Sequence, residues 1–225
     1  MCYSQHMSLA FAILGSTAFY LIDKRKYGPQ ATIIGFYTTM EILQTIQYNY
    51  LDQCDFLMTK FLTIIAHFLV CVQPSLWNWY RFKTNEKHCK IFSAFFWLGV
   101  IFAIFYTRRL VVGLLNPLAA IFSDNEMNVG KQICTLQGPS HICWVLPYAS
   151  FGGLEPNYFT YLLIWFFPSI YEDRYPIIKL IFWLTQITLI SFISYDKHEN
   201  NSIWCLLSIP IVFGLFLTTR ATTED

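Results

Sequence analysis

Apolar stretches of roughly membrane-crossing length alternate along this chain with short polar segments. A helix needs about 20 mostly apolar residues to cross the hydrocarbon core of a bilayer. Six stretches meet or approach that requirement: 7–22, 31–51, 56–80, 91–106, 177–195 and 203–219. The pattern predicts an all-α fold, a polytopic bundle of transmembrane helices in which residues 1–225 form a single domain.

A seventh crossing is predicted at 140–171, where the apolar pattern is interrupted. Pro147, Gly152, Gly153 and Pro156 divide this stretch into an irregular or re-entrant half and a helical half. Irregular backbone is tolerated at membrane depth only where protein or a water-filled cavity covers it. We therefore expect about seven spans. The alternative is that 140–171 crosses twice, which gives eight.

The long connection 107–139 has no single interpretation. Its first part, 110–122, is apolar but contains Asn116-Pro117. It could extend the fourth span, lie on the membrane interface or dip back into the bilayer.

Composition supports a lipid environment. Hydrophobic residues make up 55% of the chain and charged residues 13%, whereas soluble domains carry about 25% charged residues. A surface so poor in charge has to face lipid over much of its area, so the bilayer is the expected partner. The formal net charge of +1 gives no indication of a nucleic-acid partner.

The distribution of Lys and Arg predicts the orientation. With the N-terminus outside and the C-terminus inside, ten of the fifteen basic residues fall in inner loops: Lys24, Arg25, Lys26, Arg81, Lys83, Lys87, Lys90, Arg174, Lys179 and Arg220. The other five fall outside: Lys60, Arg108, Arg109, Lys131 and Lys197. This excess agrees with the positive-inside rule.

A cleaved signal peptide is the alternative for the first span, because small residues at 15–18 resemble a cleavage site. Signal peptides carry basic residues before the apolar stretch. Here none precedes it and three follow at 24–26. We therefore expect an uncleaved span.

Glu41 is the most informative polar residue, because it lies near the middle of the second span. Gln44 and Tyr48 follow at i+3 and i+7 and share its helical face. A carboxylate at this depth is costly and normally faces the bundle interior or a water-filled cavity. His67 is expected at similar depth on the adjacent third span, which predicts a Glu41–His67 contact. That contact could bind a proton or cation, or it could be an interhelical hydrogen bond that only joins the two helices.

Two glutamines could extend this polar core. Gln73 precedes Pro74, which removes a helical hydrogen bond and favours a kink, and Gln186 lies in the sixth span. Both could line a path with Glu41, or both could simply bond between helices.

His141 and Trp144 open the irregular segment at the predicted outer mouth of the bundle. Their i, i+3 spacing places them on one face if this part is helical. They could bind a ligand or gate entry, or they could be ordinary interface residues.

Cys54 and Cys134 both fall on the predicted outer side. In an oxidising compartment they could form a disulfide that tethers the long connection. Two free thiols are the alternative.

Metal and cofactor chemistry have little support, and we predict no bound metal and no cofactor. The five histidines, His6, His67, His88, His141 and His198, include no i, i+4 pair. A site made by Glu41, His67 and His141 would match a two-His-one-carboxylate set, but no local motif requires it. The last span, 203–219, lacks the lysine that a retinal Schiff base needs.

Several short motifs contain the polar residues discussed above. The chain opens with Met1-Cys2-Tyr3-Ser4, and further motifs are Met40-Glu41-x-x-Gln44-x-x-Gln47-Tyr48, His67 followed by Gln73-Pro74, and His141-x-x-Trp144-x-x-Pro147. Together they resemble an uncharacterised multi-pass family of giant viruses and algae whose members open with Met-Cys-aromatic-Ser. In chain order, the motifs after the opening one lie in the second span (31–51), the third (56–80) and the fifth (140–171). The resemblance implies a shared helical-bundle fold and no particular reaction.

Three functions are compatible with these observations. The first is a small ion channel or proton-coupled transporter whose path contains Glu41, Gln44, His67, Gln73 and Gln186, with an ion or small molecule as substrate. The alternative is a receptor-like or scaffold protein without transport, whose site is the outer mouth. The third is an intramembrane metallohydrolase. A homo-oligomer is compatible with each of them.

Overall fold

The computed structural model describes residues 4–22, 27–116, 128–151, 156–172, 176–194, 196–205 and 214. Its helices are α1 (Gln5–Leu21), α2 (Gly28–Gln47), α3 (Leu57–Thr84), α4 (Cys89–Leu115), α5 (Tyr158–Phe166) and α6 (Pro176–Ile193). Short 3₁₀ segments occupy Tyr48–Tyr50, Phe167–Tyr171 and Lys197–Glu199, and residues 200–205 are also helical. The chain is therefore mainly helical, as its pattern predicts.

Of the six uninterrupted predicted stretches, the first five coincide largely with the helices α1, α2, α3, α4 and α6. The second predicted stretch, 31–51, extends too far, because the α-helix ends at Gln47 and a 3₁₀ turn follows. The fourth helix, α4, continues past 106 through Arg109 to Leu115, so the start of the long connection extends this helix, which is one of the three alternatives left open for it. Most of 203–219 lies outside the described residues. Within the described part, α3 and α4 are the helices long and apolar enough to cross a bilayer.

Small residues set the spacing between neighbouring helices. A Cβ atom on Gly15 of α1 would collide with Thr38 of α2. A Cβ atom on Gly99 of α4 would lie 2.9 Å from the backbone nitrogen of Ser75 on α3. Such close backbone approach is typical of helix contacts in membrane proteins. Consecutive helices therefore pack as neighbours, α1 on α2, α2 on α3 and α3 on α4.

The irregular half of the crossing predicted at 140–171 contains a β-strand, which pairs with a second strand in the preceding long connection, and this corrects the all-helical prediction. Strand β1 (Cys134–Gln137) pairs antiparallel with β2 (Ile142–Val145), with Cys134 opposite Val145. Isoleucine, valine, threonine and tryptophan favour strands, and the Gly138-Pro139 turn brings the two runs together. Both faces of β2 are largely buried, and for this reason its continuous apolar sequence resembles part of a membrane span.

The described residues from the hairpin to the second 3₁₀ segment lie along α3, in the same direction as that helix. Thr135 contacts Thr63 near the start of α3, and Glu172 contacts Arg81 near its end. Between these two contacts, α5 also packs against α3.

Candidate functional site beneath the hairpin

The hairpin closes one end of the helix bundle and is attached covalently. A disulfide joins Cys54, in the turn between α2 and α3, to Cys134 at the start of β1. The backbone N–H of Asp52 donates to the carbonyl of Thr135 at 3.0 Å, and the Asp52 carboxylate accepts from the N–H of Gln137 at 3.1 Å. Of the two states that the sequence left open for these cysteines, the structure contains the bonded one.

His141 inserts from the hairpin turn into the end of α2. Its Nδ1 lies 2.6 Å from the hydroxyl of Tyr48, and its Nε2 lies 3.1 Å from Oε1 of Gln44. A neutral imidazole satisfies both contacts if Nε2–H donates to the amide oxygen and Nδ1 accepts from the phenol. The side chain is fully buried, and burial lowers the pKa of His141 to about 4. The ring is therefore uncharged at neutral pH.

A second set of hydrogen bonds attaches the strands to α2 and α3. The indole N–H of Trp144 donates to Gln47 at 3.2 Å, and Gln47 donates to the hydroxyl of Thr135 at 3.1 Å. The hydroxyls of Thr135 and Thr63 lie 2.7 Å apart. Trp144 was among the predicted site residues, whereas Gln47 was named only as part of the motif that carries the family resemblance, although its i+3 spacing from Gln44 indicated a shared helical face.

A buried carboxylate holds the hairpin turn. Oε1 of Glu199 accepts from the backbone N–H groups of Ser140 and His141, both at 2.6 Å. Its other oxygen accepts from the hydroxyl of Ser194. Glu199 has no local sequence signal, because its partners in the turn lie 58 and 59 residues away.

Glu41 lies one helical turn from Gln44, away from the hairpin, and is fully buried. Among the described residues, neither carboxylate oxygen has a hydrogen-bond partner, and the same holds for Nε2 of Gln44 and the hydroxyl of Ser8 on α1. Ser8 faces the carboxylate without acceptable hydrogen-bond geometry, and the thiol of Cys205 is close enough to interact with it electrostatically. Because buried polar groups in folded proteins are normally hydrogen bonded, a carboxylate in this state is unusual.

The expected contact between Glu41 and His67 is not formed. Nδ1 of His67 lies 2.9 Å from the hydroxyl of Tyr148, and its Nε2 lies 3.4 Å from the sulfur of Cys71. His67 instead belongs to an aromatic group with Tyr106 and Tyr148.

The two glutamines of the predicted polar core have different environments. Gln73 accepts a hydrogen bond from Tyr161 of α5 and donates to the sulfur of Cys205 at 3.8 Å. It is therefore connected, through Cys205, to the surroundings of Glu41. Gln186 is half-buried on α6. Within the described residues, no hydrogen bond joins it to Glu41, Gln73 or Gln44.

Two arginines that the sequence pattern used only to predict the orientation, Arg81 and Arg109, are buried. The guanidinium of Arg109 donates to the carbonyls of Ala149 at 2.9 Å and Pro156 at 2.7 Å. Arg81 forms an ion pair with Glu172 at 2.8 Å and donates to the carbonyl of Trp165 at 2.6 Å. These arginines attach the chain around α5 to α4 and α3.

The arrangement is a column of buried polar side chains within the bundle. It begins at His141 and Tyr48, continues through Gln44 to Glu41, and extends past Cys205 to Gln73 and Tyr161. Its central carboxylate is positioned to bind a proton or a small cation. Among the described residues, no three His, Cys, Asp or Glu side chains lie together as a metal-binding group.

Comparison with known proteins gives the family but no activity. An uncharacterised protein of Acanthamoeba polyphaga mimivirus is 26% identical over 226 residues, covering 93% of this chain and 91% of that protein. The giant-virus part of the resemblance is thereby confirmed. No solved structure matches the chain. The model of DUF5765, a family of unknown function, matches residues 6–222. Because this match spans nearly the whole sequence, the chain belongs to the DUF5765 family.

Proposed function

We propose that this chain is a multi-pass membrane protein of about seven spans, formed by α1 to α6 and the apolar stretch 203–219. Side-chain exposure supports this placement. Only 22% of the most apolar 18-residue stretch of α4 is buried, whereas an apolar helix in the core of a soluble protein would be mostly buried. Trp97 and Ile104 on α4 expose 61% and 62% of their surface, and Phe192 on α6 exposes 77%. Apolar surface of this extent requires lipid or another apolar partner.

The two ends of the bundle support an orientation with the N-terminus outside and the C-terminus inside. The disulfide-linked hairpin occupies one end, and disulfides form in oxidising compartments. Gln5, at the start of α1, reaches the same end, where its side chain donates to the carbonyl of Thr45 at 3.1 Å. The other end, where α3 ends and α4 begins, carries Lys83, Lys87 and Lys90, and basic residues of this kind are typical of the cytoplasmic side of membrane proteins.

The activity that we propose is movement of protons or small cations along the polar column, with Glu41 as the binding group. The observation that carries this proposal is the absence of a hydrogen-bond partner for either Glu41 oxygen among the described residues. Ionisable groups inside membranes are costly, and they commonly mark ion pathways or proton relays. A carboxylate needed only for helix packing would be expected to have its hydrogen bonds satisfied.

The column has a defined route towards the hairpin end. Gln44 lies between Glu41 and His141 and uses its oxygen to accept from the imidazole, while its amide nitrogen has no described partner. His141 in turn contacts Tyr48. Groups that both donate and accept are suited to passing a proton, and the hairpin above them closes this end against direct entry.

Flux measurements in liposomes test this proposal. The purified protein would be reconstituted, and proton, sodium and potassium fluxes measured separately across pH 5 to 8. Glu41→Gln keeps the size of the side chain and removes its charge, so it should abolish flux while leaving thermal unfolding intact. Glu86→Gln makes the same chemical change at an exposed position and is the matched control.

Loss of flux in Glu41→Gln alone would support the proposal. Flux unaffected by Glu41→Gln would contradict it. No flux from a folded wild-type protein would favour the receptor-like or scaffold alternative. In that case His141 and Trp144 would anchor the hairpin to the helix bundle, in agreement with their burial and hydrogen bonds. Stoichiometric zinc or iron in the purified protein would instead favour the metallohydrolase.

The orientation has its own test. Cysteines introduced at Gln53 and Glu86, both exposed, should react from opposite sides of the membrane with an impermeant thiol reagent. The Gln53 position should react from outside and the Glu86 position only after permeabilisation. The reverse pattern would invert the topology.

A further inference from the structure

An apolar groove of about 580 Å³ opens on the outside of the bundle between α2, α3 and α4. Its walls include Phe36 of α2, Phe68, Val72 and Trp79 of α3, and Phe96 and Ala103 of α4. Ser75 and Thr107 are its polar lining residues. This volume falls in the range of small-molecule and cofactor sites. The groove shares none of its lining residues with the polar column.

The packing of α3 against α4 explains why the groove exists. At Gly99, the backbone of α4 comes into contact with Ser75 of α3. Large side chains lie on both sides of this contact and leave space between them. From Phe68 to Trp79 the groove follows α3 for eleven residues, which corresponds to about 17 Å of helix. The space is therefore long, narrow and parallel to the helices, as an extended hydrocarbon chain is.

Charge at one end of the groove points to the class of its occupant. Lys83 follows Trp79 by one helical turn and continues the lining face of α3 towards the inner side. The turn that joins the two groove-forming helices adds Lys87, the first turn of α4 adds Lys90, and all three side chains are exposed. Glu86 is the acidic residue of this turn, so the region carries a net positive charge. Basic clusters beside spaces between transmembrane helices are suited to lipid headgroups.

We propose that this groove binds one acyl chain of an anionic phospholipid from the inner leaflet, with the headgroup phosphate at Lys83. The lipid chain lies along Phe68, Val72 and Trp79, and the lysines of the turn favour an anionic over a zwitterionic headgroup. This site rests on the membrane placement proposed above. It is independent of whether the polar column transports ions.

Fluorescence quenching in nanodiscs tests the site. Brominated phosphatidylglycerol or brominated phosphatidylcholine would be titrated into an unbrominated bilayer, and the contribution of Trp79 taken as the difference between the wild type and Trp79→Phe. We expect Trp79 to be quenched at lower mole fractions of phosphatidylglycerol. Lys83→Gln should reduce that preference about fivefold, because one basic residue near the membrane surface contributes an interaction of this size.

Two further variants identify the groove as the site. Ala103→Phe should fill the groove and remove the preference, and Lys60→Gln removes a charge from the opposite end of α3 and should leave the preference unchanged. Equal quenching by the two lipids would overturn the proposal. It would also be overturned by equal effects of Lys83→Gln and Lys60→Gln, or by no effect of Ala103→Phe. Extraction of the protein from membranes by alkaline carbonate would contradict the membrane placement itself.

Discussion

The hydroxyl of Tyr48 lies 2.6 Å from Nδ1 of His141, although 93 residues separate them in the sequence. Tyr48 follows the last residue of α2, and His141 ends the turn of the hairpin. This contact, together with that of Gln44, fixes the hairpin over the polar column. The stability of the hairpin should therefore depend on the neutral state of His141.

The buried imidazole of His141 predicts a pH-dependent stability. An unfolded histidine has a pKa of about 6.5, whereas burial lowers the pKa of His141 to about 4 in the folded protein. The unfolded state therefore binds more protons between these values, so stability is fully present above about pH 6.5 and is lost as the pH falls towards 4. The total effect is about 3 kcal/mol.

Thermal unfolding measured in detergent from pH 4 to 8 checks this expectation. His141→Gln should be less stable than the wild type at pH 7 and should show a shallower decline on acidification. His6 is exposed, so His6→Gln should retain the wild-type decline. An unchanged slope in His141→Gln would show that other groups cause the pH dependence.

The disulfide between Cys54 and Cys134 should stabilise the folded protein strongly. It links positions 80 residues apart, and closing a loop of that size corresponds to about 4 kcal/mol in the chain-entropy treatment. Cys54→Ser should therefore lower the melting temperature, and adding a reductant to that variant should cause no further loss. Cys89 is a free cysteine, and Cys89→Ser serves as the control. A reductant-sensitive melting temperature in Cys54→Ser would contradict the pairing.

The ion pair of Arg81 and Glu172 should be a second stabilising contact, at the end of α3 opposite the hairpin. Arg81 is buried and also donates to Ser169 at 2.8 Å. Removing one partner of a buried pair typically costs about 3–5 kcal/mol. We expect Arg81→Met to destabilise the protein by this amount in chemical or thermal unfolding. Lys83→Met, two residues away and exposed, should change stability by less than about 1 kcal/mol; similar losses in both variants would contradict a specific role for the pair.

Gly113 of α4 should not tolerate a side chain. A Cβ atom there would collide with the carbonyl of Pro147 in the segment that follows the hairpin. Gly113→Ala should therefore displace this segment and lower stability, even though alanine favours a helix by about 1 kcal/mol relative to glycine. Gly28 has no atom within 4 Å of such a position, so Gly28→Ala is the control. A Gly113→Ala protein that is as stable as the wild type would show that Pro147 can move.

The positions of most helices follow from the amino-acid sequence, because the apolar stretches that form bundle helices are local and long. The sequence also singled out Gln44, Tyr48, His141 and Trp144, since polar or amphipathic side chains within apolar stretches are conspicuous. It did not determine which of them meet. Gln44 and Tyr48 were assigned to a mid-membrane core and His141 to an outer mouth, yet the structure joins them directly.

The hairpin, the disulfide and the partners of the buried charges depend on contacts between distant parts of the chain, which the sequence pattern does not show. Residues 142–145 form a strand because residues 134–137 pair with them, and a short apolar stretch has no periodicity that distinguishes a buried strand from part of a helix. His67 contacts Tyr148 and not Glu41 because helix rotation and depth depend on packing across the whole bundle. Burial and hydrogen bonding act between distant segments, so the local pattern predicts that a polar group is buried but not which partner satisfies it.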